Sequence, residues 1–393
     1  MPFSINNWLH DKWQQFRQFI MPTSDDTTIP LDQVSRFYQS DSYRALDQSI
    51  ASAFFDGPLG GLDQRILIRK ENEMLIHDFS LWKQGRNISS AIYGEKGTGL
   101  STYLNVFTAH LKKSEQSYKT LSLEQRLTDV QSVILAISKQ LNIETPPEKL
   151  DSFIEAINEL PATVLIIDNA HFLVQRTLNA QLIVDTLSSI ILGSRGHHLW
   201  VISCEEQAWR RLCYGYQIQN IFSNHHHISN YSDSQIKELL IKRIAYAGFT
   251  KVNGIEISNL HNEKSPLNAI AKKSKGCIEL GIFYCLSTLT SGMSKDELFF
   301  NQPLEIDTGS FKDLTQLDLF TLAEIATHGQ LTPKEHHLIF RISLNQSKMI
   351  LEHLRVLGLL DQNDDANRRD AYSLKLIISA VVIRYLISMN YLY

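Results

Sequence analysis

The run Ile92-Tyr93-Gly94-Glu95-Lys96-Gly97-Thr98-Gly99-Leu100-Ser101-Thr102 constrains the fold of this chain more than any other segment. Gly94, Gly99 and Ser101 occupy their places in the phosphate-loop pattern G-x-x-x-x-G-K-[ST], but Leu100 stands where that pattern has lysine. Such a loop belongs between a buried strand and a helix, because its successive N–H groups must turn inward and let an anion approach the main chain. Ser89-Ser90-Ala91-Ile92-Tyr93 reads as the strand. Thr102 to Leu111 reads as the helix, apolar at Leu104, Val106, Phe107 and Leu111. The cradle of Gly94, Glu95, Lys96, Gly97, Thr98, Gly99, Leu100, Ser101 and Thr102 keeps its backbone donors without the lysine. That lysine reaches the β- and γ-phosphates and supports charge in phosphoryl transfer. Nucleotide binding is therefore expected, and efficient turnover is not. Lys96 substitutes at most in part and reads first as an exposed loop residue.

A second apolar run, Thr163-Val164-Leu165-Ile166-Ile167, fits a strand buried on both faces of a parallel sheet and ends in Asp168. Its carboxylate would emerge at the strand's carboxyl edge, where such sheets bind ligands, and coordinate Mg²⁺ beside Ser101. Asn169 follows; its amide can orient a water but cannot take its proton. A third run, His198 to Cys204, ends beside Ser203, whose hydroxyl is placed to sense a terminal phosphate. Arg210 and Arg211, on the helix that follows, could serve as arginine fingers across a subunit contact, although such arginines are commonly just solvated. Tyr118 to Leu123 suits another strand and Thr128 to Leu141 another helix, so the chain alternates as a doubly wound parallel sheet does. His225-His226-His227 falls where a fifth strand begins. Consecutive histidines alternate faces there and cannot converge on one metal.

Taken together these segments resemble the P-loop ATPases of the AAA+/STAND superfamily, near the initiator-like and transposition-helper branches. Ile68-Arg69-Lys70-Glu71-Asn72-Glu73 is similar to the family's GRExE motif, which implies that Arg69 lies by the adenine. The loop is a Walker A with Leu100 for lysine, and Leu165-Ile166-Ile167-Asp168-Asn169 is a Walker B with asparagine for the usual glutamate. Ile241 to Gly248 resembles the xxRLxxAG helix that opens the family's helical lid. Ser274-Lys275-Gly276-Cys277-Ile278-Glu279 occupies the place of SxGxPR without its arginine. The resemblance implies ATP and Mg²⁺ as ligands, with Ser101 and Asp168 on the metal. Catalytic roles would fall to Asn169, Ser203 and Arg210. Three altered charges imply slow or absent hydrolysis.

The chain of 393 residues, 43% hydrophobic, has room for two or three domains with real cores. A formal net charge of −4 gives no global electrostatic case for nucleic acid. Cys204, Cys213, Cys277 and Cys285 lack metal spacing and read as reduced thiols of a cytoplasmic protein. No signal peptide is visible, and no apolar stretch reaches membrane-spanning length. The expected division is an N-terminal docking helix and linker over 1–48, the P-loop domain over 49–231, a helical lid over 232–292, a connector over 293–313, and a winged-helix-like domain over 314–393.

Two of these parts bear on partners. Residues 5–20 form an amphipathic helix candidate with Trp8, Leu9, Trp13, Phe16, Phe19 and Ile20 mostly on one side, suited to docking on a partner or on its own protein. In the C-terminal part, Thr332, Pro333 and Glu335 spell a capped helix start, a third helix is expected over Gln346 to Leu357, and Tyr372-Ser373-Leu374 returns as a strand. Lys348, Arg355, Arg368 and Arg369 face Glu352, Asp361, Asp364, Asp365 and Asp370. So acidic a surface neutralises few phosphates, and protein docking is favoured as strongly as DNA binding. The leading expectation is a nucleotide switch or assembly factor for a protein partner, with homo-oligomerisation open. The alternatives are a nucleotide-independent adaptor and a DNA-binding ATPase.

Overall fold

In a computed structural model, residues 28–55, 57–123, 126–173, 176, 180–290, 296–362 and 370–392 are described. The expected docking helix over 5–20, most of the linker over 21–31, and Arg368 and Arg369 lie outside them. The chain divides into two compact units, one of Gly57–Asn230 with Thr315–Tyr393 and one of Met1–Asp56 with Tyr231–Leu314.

The first unit is built on five strands: β1 (Ser89–Gly94), β2 (Tyr118–Ser122), β3 (Val164–Asp168), β4 (Leu199–Glu205) and β5 (Asn224–Ile228). They pair in the order β2-β3-β4-β1-β5, all parallel. The expected α/β class with a doubly wound parallel sheet is borne out. The three central strands alternate between two cores. Ile92, Val164, Ile166, Leu199 and Val201 pack on α1 (Asn72–Lys83) and α2 (Leu100–Lys113). Ala91, Leu165, Ile167, Trp200, Ile202 and Cys204 pack on α3 (Val130–Leu141), α4 (Leu150–Asn158), α5 (Ala180–Ser194) and α6 (Glu206–Tyr216). Ile166 is 1% exposed. Ile166→Val should therefore cost about 0.5–1.5 kcal/mol, read as a lowered urea midpoint at unchanged slope. A variant as stable as the parent would mean that this face of β3 is loosely packed.

The three histidines of β5 do take separate partners. His225 Nε2 lies 2.8 Å from the Gln219 carbonyl, and His227 Nε2 lies 3.3 Å from Glu206 Oε2. His226 Nε2 lies 2.5 Å from the buried Asp78 carboxylate, which also accepts from Ser90 Oγ at 2.6 Å and Asn224 Nδ2 at 2.7 Å. This shared carboxylate ties α1 to β1 and β5.

The C-terminal part of the same unit has α7 (Gln316–His328), β6 (Gln330–Leu331), α8 (Pro333–Phe340), α9 (Leu344–Val356), β7 (Leu360–Gln362), β8 (Tyr372–Leu374) and α10 (Leu376–Ser388). Its sheet runs β6-β8-β7, antiparallel throughout. Thr332 and Glu335 form the expected capping box at α8. α9 starts two residues before the expected Gln346, because Ser343 is its N-cap and the Gln346 side chain returns to the Ser343 N–H at 3.0 Å.

The second unit holds helices Asp233–Tyr246, Leu267–Ser274 and Ile278–Thr288. The buried Arg243 of its first helix donates to the Ala53 and Phe55 carbonyls at 2.8 and 2.7 Å, which fixes residues just after the expected 48/49 boundary to the lid segment. The chain passes from this unit to the other at Asp56–Gly57. Nor is 293–313 merely a connector: Glu297–Phe300 pairs with Lys251–Val252 and Leu289–Thr290, and Glu305–Asp307 pairs with Thr28–Pro30. Among the described residues no helix is long and apolar enough to cross a membrane.

Candidate nucleotide-binding site

The phosphate-loop pattern sits at the carboxyl end of β1, and three local features shape it. Gly97 and Gly99 have φ of 92° and 82°, the left-handed region that glycine adopts without cost, and Gly99 is the N-cap of α2. Thr98 Oγ1 and N both bond to the Glu95 carbonyl, at 2.8 and 3.1 Å, closing a tight turn. A Cβ on Gly94 would lie 2.6 Å from the Ile228 carbonyl and 2.8 Å from Thr98 Oγ1, so no larger residue fits. The first N–H groups of α2 have no intrahelical acceptor and open toward this turn.

Side chains around the loop hold it. Arg69 is buried and donates to the Ser229 carbonyl at 2.8 Å and the Thr98 carbonyl at 3.4 Å. Its guanidinium thus supports the loop from the protein's own side. Glu71 accepts from Ser229 Oγ at 2.9 Å, and Glu95 accepts from Asn230 Nδ2 at 2.7 Å. The loop and the residues at which the chain leaves this unit form one hydrogen-bonded assembly. Thr102 Oγ1 accepts from the Leu59 N–H at 3.2 Å. Leu100, in the lysine's position, packs against the core between the sheet and α1 and α2. The apolar side chain anchors the helix start where the lysine would have reached a phosphate.

On β3, Asp168 Oδ1 accepts from Ser203 Oγ and, at 2.9 Å, from the Asn169 N–H. The two residues predicted from their strand ends are therefore in direct contact. Asn169 sits in the left-handed region at φ 59°, and its side chain donates to Ser122 Oγ at 3.3 Å. Arg210 is not brought to this edge: it forks onto Glu206, at 3.1 Å through Nε and 2.6 Å through one terminal nitrogen. Arg211 contradicts the finger reading outright. It is spent against the ring of His328 on α7, and burial draws its pKa down to about 10.

Behind Asp168 the chain makes a short turn, Ala170–Phe172, against the C-terminal part. Arg126, which no motif marks, pins this contact. It donates to the His171 carbonyl at 3.3 Å and the His328 carbonyl at 3.0 Å, and its Nε meets Glu335 Oε1 at 2.7 Å. Gly329 leaves room for His171; a Cβ there would lie 2.4 Å from its ring. Burial holds the His171 imidazole below its ordinary pKa. Glu205 and Asp168 oppose that shift, and Lys96 and Arg126 add to it.

These features fit a phosphate chain with a divalent cation. The loop offers backbone donors and a helix N-terminus, and Ser101 and Asp168 offer hard oxygen ligands. They do not replace the lysine's charge.

No family model matches the chain, and no curated protein does. Among solved structures it is similar to the Aeropyrum pernix ORC1 protein in complex with DNA, at 10% identity and a TM-score of 0.45, over 88% of this chain and 100% of that one. It is also similar to the Aeropyrum pernix ORC2 protein in its ADPNP–ADP complexes, at 13% identity and 0.41, over 82% and 94%. A third is Drosophila ORC bound to DNA, at 16% identity and 0.42, over 96% and 99%.

Proposed function

We propose that this chain binds ATP with Mg²⁺ between Gly94–Thr102 and Asp168 and acts as a nucleotide switch with slow turnover. The observation that carries this reading is the loop itself: a Gly94 that admits no side chain, two left-handed glycines and a helix start, with Asp168 at the same carboxyl edge of the parallel sheet, one strand removed across β4. Ser101 and Asp168 would hold the metal, which when bound neutralises phosphate charge. Ser203 fixes the Asp168 carboxylate, and Arg69 keeps the turn at Thr98 in place. Arg210 remains a finger candidate, for a site shared between copies of the chain.

The C-terminal part supplies a winged-helix-like surface for a protein partner. On α9, Met349 and Val356 are 72% and 61% exposed, and Leu338 on α8 is 59% exposed. Arg355 of the same helix is already paired with Glu352 at 2.5 Å. Apolar exposure with a neutralised arginine favours protein over phosphate as the contact. DNA retention that weakens steeply with salt would favour the DNA-binding reading instead.

Thermal unfolding with and without ATP–Mg²⁺ tests the nucleotide site. Stabilisation follows ligand concentration over Kd, about 2.7 kcal/mol at roughly 100 Kd. Asp168→Ala is expected to abolish the part of the shift that depends on Mg²⁺. No shift with any nucleotide would leave the adaptor reading. An unchanged shift in Asp168→Ala would sink the metal assignment.

A further inference from the structure

Resting on the nucleotide reading, we infer that Glu205 is the carboxylate that activates water at this site, in the role that Asn169 cannot fill. β4 runs to Glu205, one residue beyond the expected end at Cys204. Its period places the residue: Leu199 and Val201 face α1 and α2, while Trp200, Ile202 and Cys204 face the opposite core. Ser203 and Glu205 therefore face the α2 side, as does Asp168, which follows Val164 and Ile166 at the same parity on β3. Across the sheet, Glu205 pairs in register with Gly94, the first residue of the phosphate loop. Parallel neighbours lie about 5 Å apart, so its backbone borders the loop directly.

The carboxylate is also uncommitted. Glu205 is the N-cap of α6 but makes no capping bond, and its carboxylate has no hydrogen bond or ion pair with any described residue. It is half-buried. The next residue, Glu206, is occupied by Arg210 and His227. Asn169, in contrast, is held toward Ser122. Glu205, Asp168 and Lys96 all lie within electrostatic reach of His171, which puts them around one edge of the sheet.

In the proposed step the water oxygen forms a bond to the γ-phosphorus. The bond from that phosphorus to the β,γ-bridging oxygen breaks, its electron pair leaving with ADP. The water's proton passes to the Glu205 carboxylate and on to solvent, giving ADP and inorganic phosphate. A general base contributes about 10²–10⁴-fold, which also places this route well short of a site with its lysine intact.

The test is single-turnover release of phosphate from γ-labelled ATP–Mg²⁺ with protein in excess, alongside nucleotide Kd for the same samples. Glu205→Gln should bind ATP as the parent does and release phosphate about 100-fold more slowly. Glu205→Asp, which keeps the carboxylate, should recover part of the rate, and its Kd reports whether it is folded. Equal rates for the parent and Glu205→Gln would overturn the assignment, as would a parent that binds ATP and releases no phosphate. A parent that binds no nucleotide would overturn the nucleotide reading itself, and this inference with it.

Discussion

Arg126→Ala should destabilise the unit that holds the sheet and the C-terminal helices by about 3–5 kcal/mol, the usual cost of removing one partner from a buried ion pair. Arg126 is 7% exposed and Glu335 19%, so neither charge is well served by water once the other is gone. The loss goes beyond a pair. The same guanidinium meets the His171 and His328 carbonyls, also bonds the Gln330 carbonyl, and lies 5.5 Å from the Phe172 ring. Two of those carbonyls flank Gly329 at the end of α7, where helix carbonyls lack intrahelical donors. Arg126→Lys keeps the charge but not the planar fork, and should lose an intermediate amount. Urea unfolding followed by circular dichroism measures both. If Arg126→Ala unfolds at the parent's midpoint, the contact between the Ala170–Phe172 turn and α7 is not held by this residue. Because the turn begins two residues after Asp168, loosening it should also weaken nucleotide binding in proportion.

What could be read from the sequence divides along physical lines. The five-stranded sheet was legible because strands buried on both faces become plain apolar runs, as Val164–Ile167 and Leu199–Ile202 do. Helix starts were legible where a capping box spells them, and Thr332–Glu335 marks α8 to the residue. Strands of two residues, such as Lys251–Val252 and Leu289–Thr290, carry no period, so the segment that pairs with them read as a connector. At the site, Asp168 and Ser203 were legible as strand ends. Arg126 was not, since its partners lie 45 to 209 positions away in the chain. Leu100 announced a missing charge but not that its side chain joins the core. Glu205 left a usable signal, the shared parity with Ser203, hidden only by ending β4 one residue early. Arg211 read as a finger candidate from its place on the helix after β4; its contact with His328 of α7 lies 117 positions away, and no local pattern reports that.

Acid should loosen the packing of the C-terminal helices. His328 is fully buried, and burial together with the nearby Arg211 guanidinium draws its pKa to about 4. Its Nδ1 lies 2.8 Å from the Glu324 carbonyl, leaving Nε2 to accept from Arg211, so the neutral ring satisfies both. A second proton would set an N–H against that guanidinium, with Arg126 also near and only Glu324 opposing. His336 is likewise buried, between Thr321 Oγ1 at 2.9 Å and Ser347 Oγ at 3.1 Å, with its pKa lowered by burial to about 4. Both folded values lie below the unfolded value of about 6.5, so between pH 6.5 and 4 the unfolded chain binds more protons. Their contribution is therefore complete above about pH 6.5 and is lost as pH falls toward 4, on the order of 3 kcal/mol for each ring. The urea midpoint should drop steeply between pH 7 and pH 5. His328→Asn, which keeps a neutral donor and acceptor, should remove that ring's share of the slope while Ile166→Val leaves the slope intact. A parent and a His328→Asn variant with the same pH dependence would mean that His328 is protonated in the folded chain or reaches water.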